Sequence, residues 1–268
     1  MVLTKILSSL TGRHSKAEGN VLPILVCTHH KTGTVWMLRI FDGIQRADGT
    51  PYELINLHSP KPDQNIEART PIFFDPRGDY TLAASLAEDY RGVHVIRDPR
   101  DVVISGAYYH QSSSESWLHV KRDDCDGRTY QEAINSGDYG DPFVFEMQRV
   151  GGYTIRNMVD WNYADTRILT VKYEDLIQDT NLSVFEQVFR FLNLDEKMLE
   201  LALEHTRTVS LQFGKDRART QHVRSGVPSQ WRTEFTRKHG EQFVSLFGTL
   251  LVDLGYEKDN SWVQCLSE

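Results

Sequence analysis

Four residues between an apolar run and a helix-patterned stretch, Lys31, Thr32, Gly33 and Thr34, have the types and order that hold an anion. The run VLPILVCT (21–28) reads as a buried strand and VWMLRIFDGI (35–44) as a helix, so HHKTGT is a strand-to-helix turn. There, backbone N–H groups and the positive end of the helix dipole converge. Gly33 lets the backbone approach, and the Lys31 ammonium adds a mobile charge. Phosphate or sulfate is the natural occupant. The turn is not a Walker A loop, which needs a glycine five residues before a Gly-Lys pair. The bland alternative is a tight turn with no ligand. A second cluster lies in VIRDPRDVVISGAYYH (95–110), with Arg97 at the end of a buried strand and Ser105 eight residues on. The guanidinium can take a second phosphate bidentately and the hydroxyl can donate to it. The alternatives are an ion pair of Arg97 with Asp98 or Asp101, and a helix-surface place for Ser105.

Such clusters need strand ends to carry them, and the pattern supplies these. PIFFD (71–75), GVHVIRD (92–98) and RILTVKY (167–173) read as strands, with YELINLHS (52–59) a further candidate. TLAASLAEDY (81–90), PRDVVISGAYYH (99–110, opened by Pro99), LSVFEQVFRFLNL (182–194) and EKMLELALEHT (196–206) read as helices. Strands alternating with helices imply an α/β fold, a central parallel sheet flanked by helices. The polar stretch 111–142 leaves this scaffold, with one helix at 129–136, and is a candidate substrate gate. A second polar stretch, 213–229, precedes a closing helix at 240–254. No repeat or linker divides the chain. It reads as one domain, 21–268, after an N-terminal extension, 1–20, whose apolar flavour lacks the h-region and cleavage site of a signal peptide.

Composition sets limits. With 268 residues, 40% hydrophobic and 25% charged, the chain is a globular protein with room for one large core. Thirty Lys and Arg against 37 Asp and Glu give a net charge of −7, so nucleic acid is not expected as a partner and an anion must be met by a local cluster. The longest apolar run, 21–27, is far below the roughly 20 residues of a bilayer crossing. Cys27, Cys125 and Cys265 are odd in number and widely spaced, which suggests neither a disulfide framework nor a zinc ribbon and fits a reducing cytoplasm.

With these segments in view, the chain resembles the PAPS-dependent sulfotransferases of the cytosolic and bacterial kind, a family with a fold like that of P-loop nucleoside-triphosphate hydrolases. The turn running from Lys31 to Trp36 resembles the family's 5′-phosphosulfate loop, and Arg97 with Ser105 its 3′-phosphate motif. VKYEDL (171–176) is similar to the family's Tyr-Glu-Asp turn, which makes Tyr173 an adenine contact. HVRSGVPSQWRTEFT (222–236) resembles its C-terminal Arg-x-Gly loop, here Arg224, Ser225 and Gly226. The resemblance implies that 3′-phosphoadenosine 5′-phosphosulfate is the co-substrate. Lys31, Thr32, Gly33 and Thr34 would hold its 5′ end, Arg97, Ser105 and Arg224 its 3′ phosphate, and Trp36 would stack on adenine. Thr206 falls where the family often has another adenine contact. The reaction implied is in-line transfer of a sulfuryl group to a hydroxyl or amine of a small molecule, without metal, Lys31 stabilising the leaving phosphate.

Several positions depart from the pattern. Val35 stands where a second hydroxyl residue usually follows, Ser225 replaces a common lysine, and His30, preceded by His29, replaces a proline. Adjacent histidines rarely ligate one ion. Where the family commonly supplies a basic histidine after the strand preceding the Arg-bearing one, this chain has Asp75, which is therefore the expected general base. His58 is the rival, with an unperturbed imidazole suited to the task, and His30 is third. Turn formation before Pro76 is the alternative for Asp75. Two other readings stand beside the transferase: an ATP-dependent small-molecule kinase and a non-catalytic nucleotide-binding module. The acceptor and the oligomeric state are not legible; aromatics such as Phe73, Tyr108, Trp117, Tyr130 and Phe143 suggest a partly apolar pocket or equally core packing.

Overall fold

The structure, a computed structural model, describes residues 21–59, 69–80, 89–216 and 227–268. In chain order its elements are β1 (Ile24–Thr28), α1 (Thr34–Arg46), β2 (Tyr52–Asn56), β3 (Thr70–Asp75), β4 (Arg91–Ile96), α2 (Pro99–Ser112), α3 (Tyr130–Ser136), α4 (Pro142–Gln148), α5 (Val150–Val159), β5 (Ile168–Lys172), α6 (Tyr173–Gln178), α7 (Ser183–Phe191), α8 (Glu196–Asp216), α9 (Trp231–Glu234), α10 (Arg237–Phe247) and α11 (Leu250–Asp253). The expected helix at 81–90 and the expected Arg224, Ser225 and Gly226 loop fall mostly or wholly outside the described residues, as does the extension 1–20.

The chain groups into two compact units, each built from two stretches: one of residues up to Ile96 with Asp160–Lys215, the other of Arg97–Val159 with the C-terminal stretch to Glu268. The sequence shows no linker because the first crossing is made between a strand and a capped helix, with Asp98 accepting from the Arg100 N–H and Pro99 at the first helical position.

The first unit holds an open sheet of five parallel strands in the order β2-β3-β1-β4-β5. β1 and most of β3 and β4 are buried on both faces, as parallel strands covered by helices must be. One face carries Ile24, Val26, Ile72, Phe74, Val93 and Val95 into a cluster with Trp36, Met37, Ile40, Phe41 and Ile44 of α1, at helical spacing, and with apolar residues of α7 and α8. The opposite face bears a polar row. Asp75 pairs in register with Cys27, Cys27 with His94, and His94 with Thr170. The chain fills the side of β1 held by β3 and β2, then crosses to β4 and β5. That reversal lies beside the carboxyl end of β1, the place where open α/β sheets bind ligands.

The second unit is helical. The stretch read as a gate is packed around its own small core of Leu118, Cys125, Tyr130, Ala133, Ile134 and Phe145 with Ala107 of α2. The helix expected at 129–136 is α3, closed by a Thr129–Glu132 capping box. The single closing helix expected at 240–254 is instead two, α10 and α11, broken at Gly248, which adopts φ +60.

Candidate active site

In the first unit, four of the five strands end in residues singled out from the sequence. β1 runs into the turn 29–33, β2 leads to His58, β3 ends in Asp75, and β5 is followed at once by Tyr173. The turn is tied by its own hydroxyls. The His29 carbonyl accepts from the Thr32 N–H (3.1 Å), from Thr32 Oγ1 (2.9 Å) and from Thr34 Oγ1 (2.9 Å). Thr32 Oγ1 also accepts from the His29 N–H at 2.8 Å, and Thr34 Oγ1 accepts from Thr28 Oγ1 at 3.0 Å. Both threonine side chains thus shape the turn from within, Thr32 being fully buried. The start of α1 is left open: no side chain caps it and no acidic residue stands in its first turn.

Two left-handed residues make this geometry. Lys31 has φ +67 and Gly33, the residue before α1, φ +98. A Cβ on Gly33 would lie 3.1 Å from the Tyr173 ring, so the glycine serves both the turn and the approach of the tyrosine. Trp36 is only 2% exposed, edge-on to Tyr173 and Phe185, with centroids 6.2 and 5.4 Å away. Thr206 is fully buried and donates to the Ala202 carbonyl at 2.6 Å, a bond internal to α8.

Two of the three base candidates, His58 and Asp75, are bonded to each other. His58 Nε2 lies 3.1 Å from Asp75 Oδ1. The same carboxylate, fully buried, accepts the backbone N–H groups of Arg77 and Asp79. The His58 side chain keeps 22% of its surface exposed. A carboxylate so surrounded orients an imidazole better than it removes a proton from a third molecule.

Sequence reasoning passed over His94. It is fully buried in β4, stacked on Trp161 with centroids 3.8 Å apart, and its Nε2 lies 2.7 Å from Nε2 of His29. A histidine in an otherwise apolar strand, VHVI, was the available signal. Burial pushes His29 down to about 3, and burial with the neighbouring His29 pushes His94 well down, so both rings are neutral.

In the second unit, Arg97 is 5% exposed with Nη2 4.0 Å from Asp101 Oδ2. Asp98, the other proposed partner, is taken by Arg100 through Nε–Oδ1 (2.9 Å) and Nη2–Oδ2 (2.7 Å). Arg100 is itself clamped over the rings of Trp231 and Trp262 and paired with Glu257. Asp101 also accepts the N–H groups of Ser229 (2.7 Å) and Trp231 (3.1 Å). Burial pushes its carboxyl up and the Arg97 guanidinium draws it back. Ser105 is half-buried one turn further along α2. Among the described residues no three His, Cys, Asp or Glu side chains converge as a metal requires.

Comparison with known proteins shows the family to which the chain belongs. Human (Homo sapiens) sulfotransferase 2A1 is 23% identical over 266 residues, covering 91% of this chain and 84% of that one. The 3-alpha-hydroxysteroid sulfotransferase of Cavia porcellus is 24% identical over 287 residues, covering 98% and 90%. Among solved structures, mouse sulfotransferase SULT7A1 complexed with PAP superposes with a TM-score of 0.55 at 17% identity, covering 98% of this chain and 94% of that one, a likeness of fold. The family model described as "Sulfotransferase domain" matches residues 23–255, and this chain belongs to that family.

Proposed function

We propose that the protein transfers a sulfuryl group from 3′-phosphoadenosine 5′-phosphosulfate to the hydroxyl of a small apolar molecule. The observation that carries this reading is the uncapped start of α1 behind Lys31, at the carboxyl end of the sheet, in a chain of this family. The N–H groups of the first turn of α1 take the 5′ phosphate, with Thr32 and Thr34 shaping the turn. Tyr173 contacts adenine with Trp36 behind it. Arg97 and Ser105 take the 3′ phosphate, joined by Arg224, Ser225 and Gly226.

In the reaction the acceptor oxygen attacks sulfur in line. The bond from sulfur to the bridging oxygen breaks, and its electron pair leaves with the 5′ phosphate, giving PAP. Lys31 stabilises the charge that grows on that oxygen. The acceptor proton passes to His58 through Nδ1, the nitrogen not engaged with Asp75, and Asp75 holds the ring and stabilises the imidazolium. Positioning and charge supply the rest of the catalysis.

An alcohol on a rigid apolar skeleton is the acceptor class supported by the Cavia porcellus relatives named 3-alpha- and 3-beta-hydroxysteroid sulfotransferase. The free thiols Cys27, Cys125 and Cys265 support a cytoplasmic location, and no helix among the described residues is long and apolar enough to cross a membrane.

Calorimetry with PAP and with ATP–magnesium, followed by transfer of labelled sulfate to a panel of hydroxysteroids, phenols and amines, tests the reading. PAP binding without magnesium and label on an alcohol are expected. Binding of ATP–magnesium alone points to a kinase, and PAP binding without transfer to a non-catalytic module.

A further inference from the structure

The histidine pair under the donor turn has no part in the chemistry above, yet both of its rings are fully buried and in contact. His29 is the first residue after β1, and its carbonyl accepts three of the hydrogen bonds that tie the turn. Its ring is fully buried between two neighbours. On one side its Nε2 meets Nε2 of His94 at 2.7 Å. On the other it packs on the backbone of Gly78, where an added Cβ would come within 2.1 Å of the ring. Gly78 lies between Arg77 and Asp79, whose N–H groups hold the Asp75 carboxylate. His94 is fixed in turn by its stack on Trp161 and by Thr170 Oγ1, 3.2 Å from its Nδ1.

The contacts also select the tautomers. His29 Nδ1 is buried and has no partner among the described residues. A proton there would be an orphaned donor, which is costlier than an unused lone pair. His29 therefore carries its proton on Nε2 and donates to His94 Nε2, and His94 carries its own on Nδ1 and donates to Thr170.

From this geometry we infer that His29 is a positioning residue: anchored on His94, it holds the donor turn and the Asp75 turn in one fixed register, so that Lys31 meets the leaving oxygen of the donor while the His58–Asp75 pair meets the attacking hydroxyl of the acceptor. The inference rests on the reading that the turn 29–34 binds the 5′ end of that donor. A phenylalanine at 29 would fill the space but lose the anchor, and the turn carbonyl would then be set by its own three bonds alone.

The test uses the full chain and begins with calorimetric titration of the wild type with PAP; no binding there refutes the donor reading itself, without any variant. His94→Phe keeps the volume and the stack on Trp161 but cannot bond His29, whereas His94→Gln retains a group that can. His94→Phe is expected to raise the PAP dissociation constant and the donor KM roughly tenfold, with the acceptor KM within about twofold of wild type. His94→Gln is expected to bring the donor KM back to within about threefold of wild type. A folded His94→Phe with wild-type donor constants, or equal losses in both variants, overturns the proposal. If His94→Phe does not fold, NMR of the wild type with ring-labelled histidine decides. Protons on His29 Nε2 and His94 Nδ1, with the His29 signals moving on PAP addition, support the role; His29 signals unmoved at saturating PAP overturn it.

Discussion

His58 Nε2 lies 3.1 Å from Asp75 Oδ1, and that carboxylate also receives the N–H groups of Arg77 and Asp79. In the proposed mechanism this pairing makes one device of two rival bases, a partly exposed imidazole and the buried carboxylate bonded to it.

Substitution separates the two roles. His58→Ala is expected to lower kcat by roughly 10²–10⁴-fold, the usual worth of a general base, while PAP affinity stays at the wild-type value. Asp75→Ala strips an acceptor from two backbone donors, so it should lower the melting temperature as well as turnover. Near-wild-type turnover in His58→Ala, measured at saturating donor and acceptor, would remove His58 from the mechanism. Full turnover in Asp75→Ala would remove the orienting role.

Gly33→Ala tests the turn itself. The position has φ +98, and a methyl group there meets the Tyr173 ring at 3.1 Å. Backbone strain of this kind costs about 1–3 kcal/mol. The ring must also shift, so PAP affinity should fall together with stability in urea. A variant that melts like the wild type and binds PAP unchanged would show that neither the left-handed turn nor the tyrosine contact matters to the donor.

Much of this was legible in the sequence because local chemistry decides it. The strand-to-helix turn at 31–34, the Pro99 start of α2 and the Thr129 start of α3 each rest on residues within four positions of one another. The features that escaped depend on register across the sheet. His94 meets His29 only because β1 and β4 are neighbours, and His58 meets Asp75 only because β2 and β3 are. The direction of a hydroxyl is not legible from residue type either: Thr32 and Thr34 both donate to the His29 carbonyl within the turn. The hydroxyl of Thr206 is likewise bonded back into α8. The break between α10 and α11 could have been read at Gly248, which the apolar periodicity runs straight through.

Arg97 offers a test by ligand rather than by rate. If its guanidinium holds the 3′ phosphate, Arg97→Ala should weaken PAP by roughly 10–150-fold, the worth of a charge-assisted bidentate pair, and leave AMP, which lacks that phosphate, almost unchanged. Asp101→Asn serves as the control, because Arg97 lies 4.0 Å from Asp101 and its removal also alters the buried carboxylate. Equal losses for PAP and AMP in Arg97→Ala would mean that the arginine supports the fold of its unit and does not read the 3′ position.

The neutral histidine pair predicts how stability responds to acid. His29 is pushed down to about 3 and His94 is also lowered, both chiefly by burial, whereas in the unfolded chain each titrates near 6.5. Above that value both states are unprotonated and the pair adds no pH dependence. Below it the unfolded chain takes up protons that the folded chain refuses, so stability falls as pH drops from about 6.5 towards 3, by about 1.4 kcal/mol per pH unit for each refused proton. The carboxyl of Asp101, pushed up by burial, works in the opposite sense, and comparison of variants cancels it. Urea unfolding between pH 7 and 4.5 should therefore give a shallower slope for His94→Phe than for the wild type, by about one proton's worth. Identical slopes would mean that the two rings accept protons in the folded state, and the neutral pair beneath the donor turn would have to be abandoned.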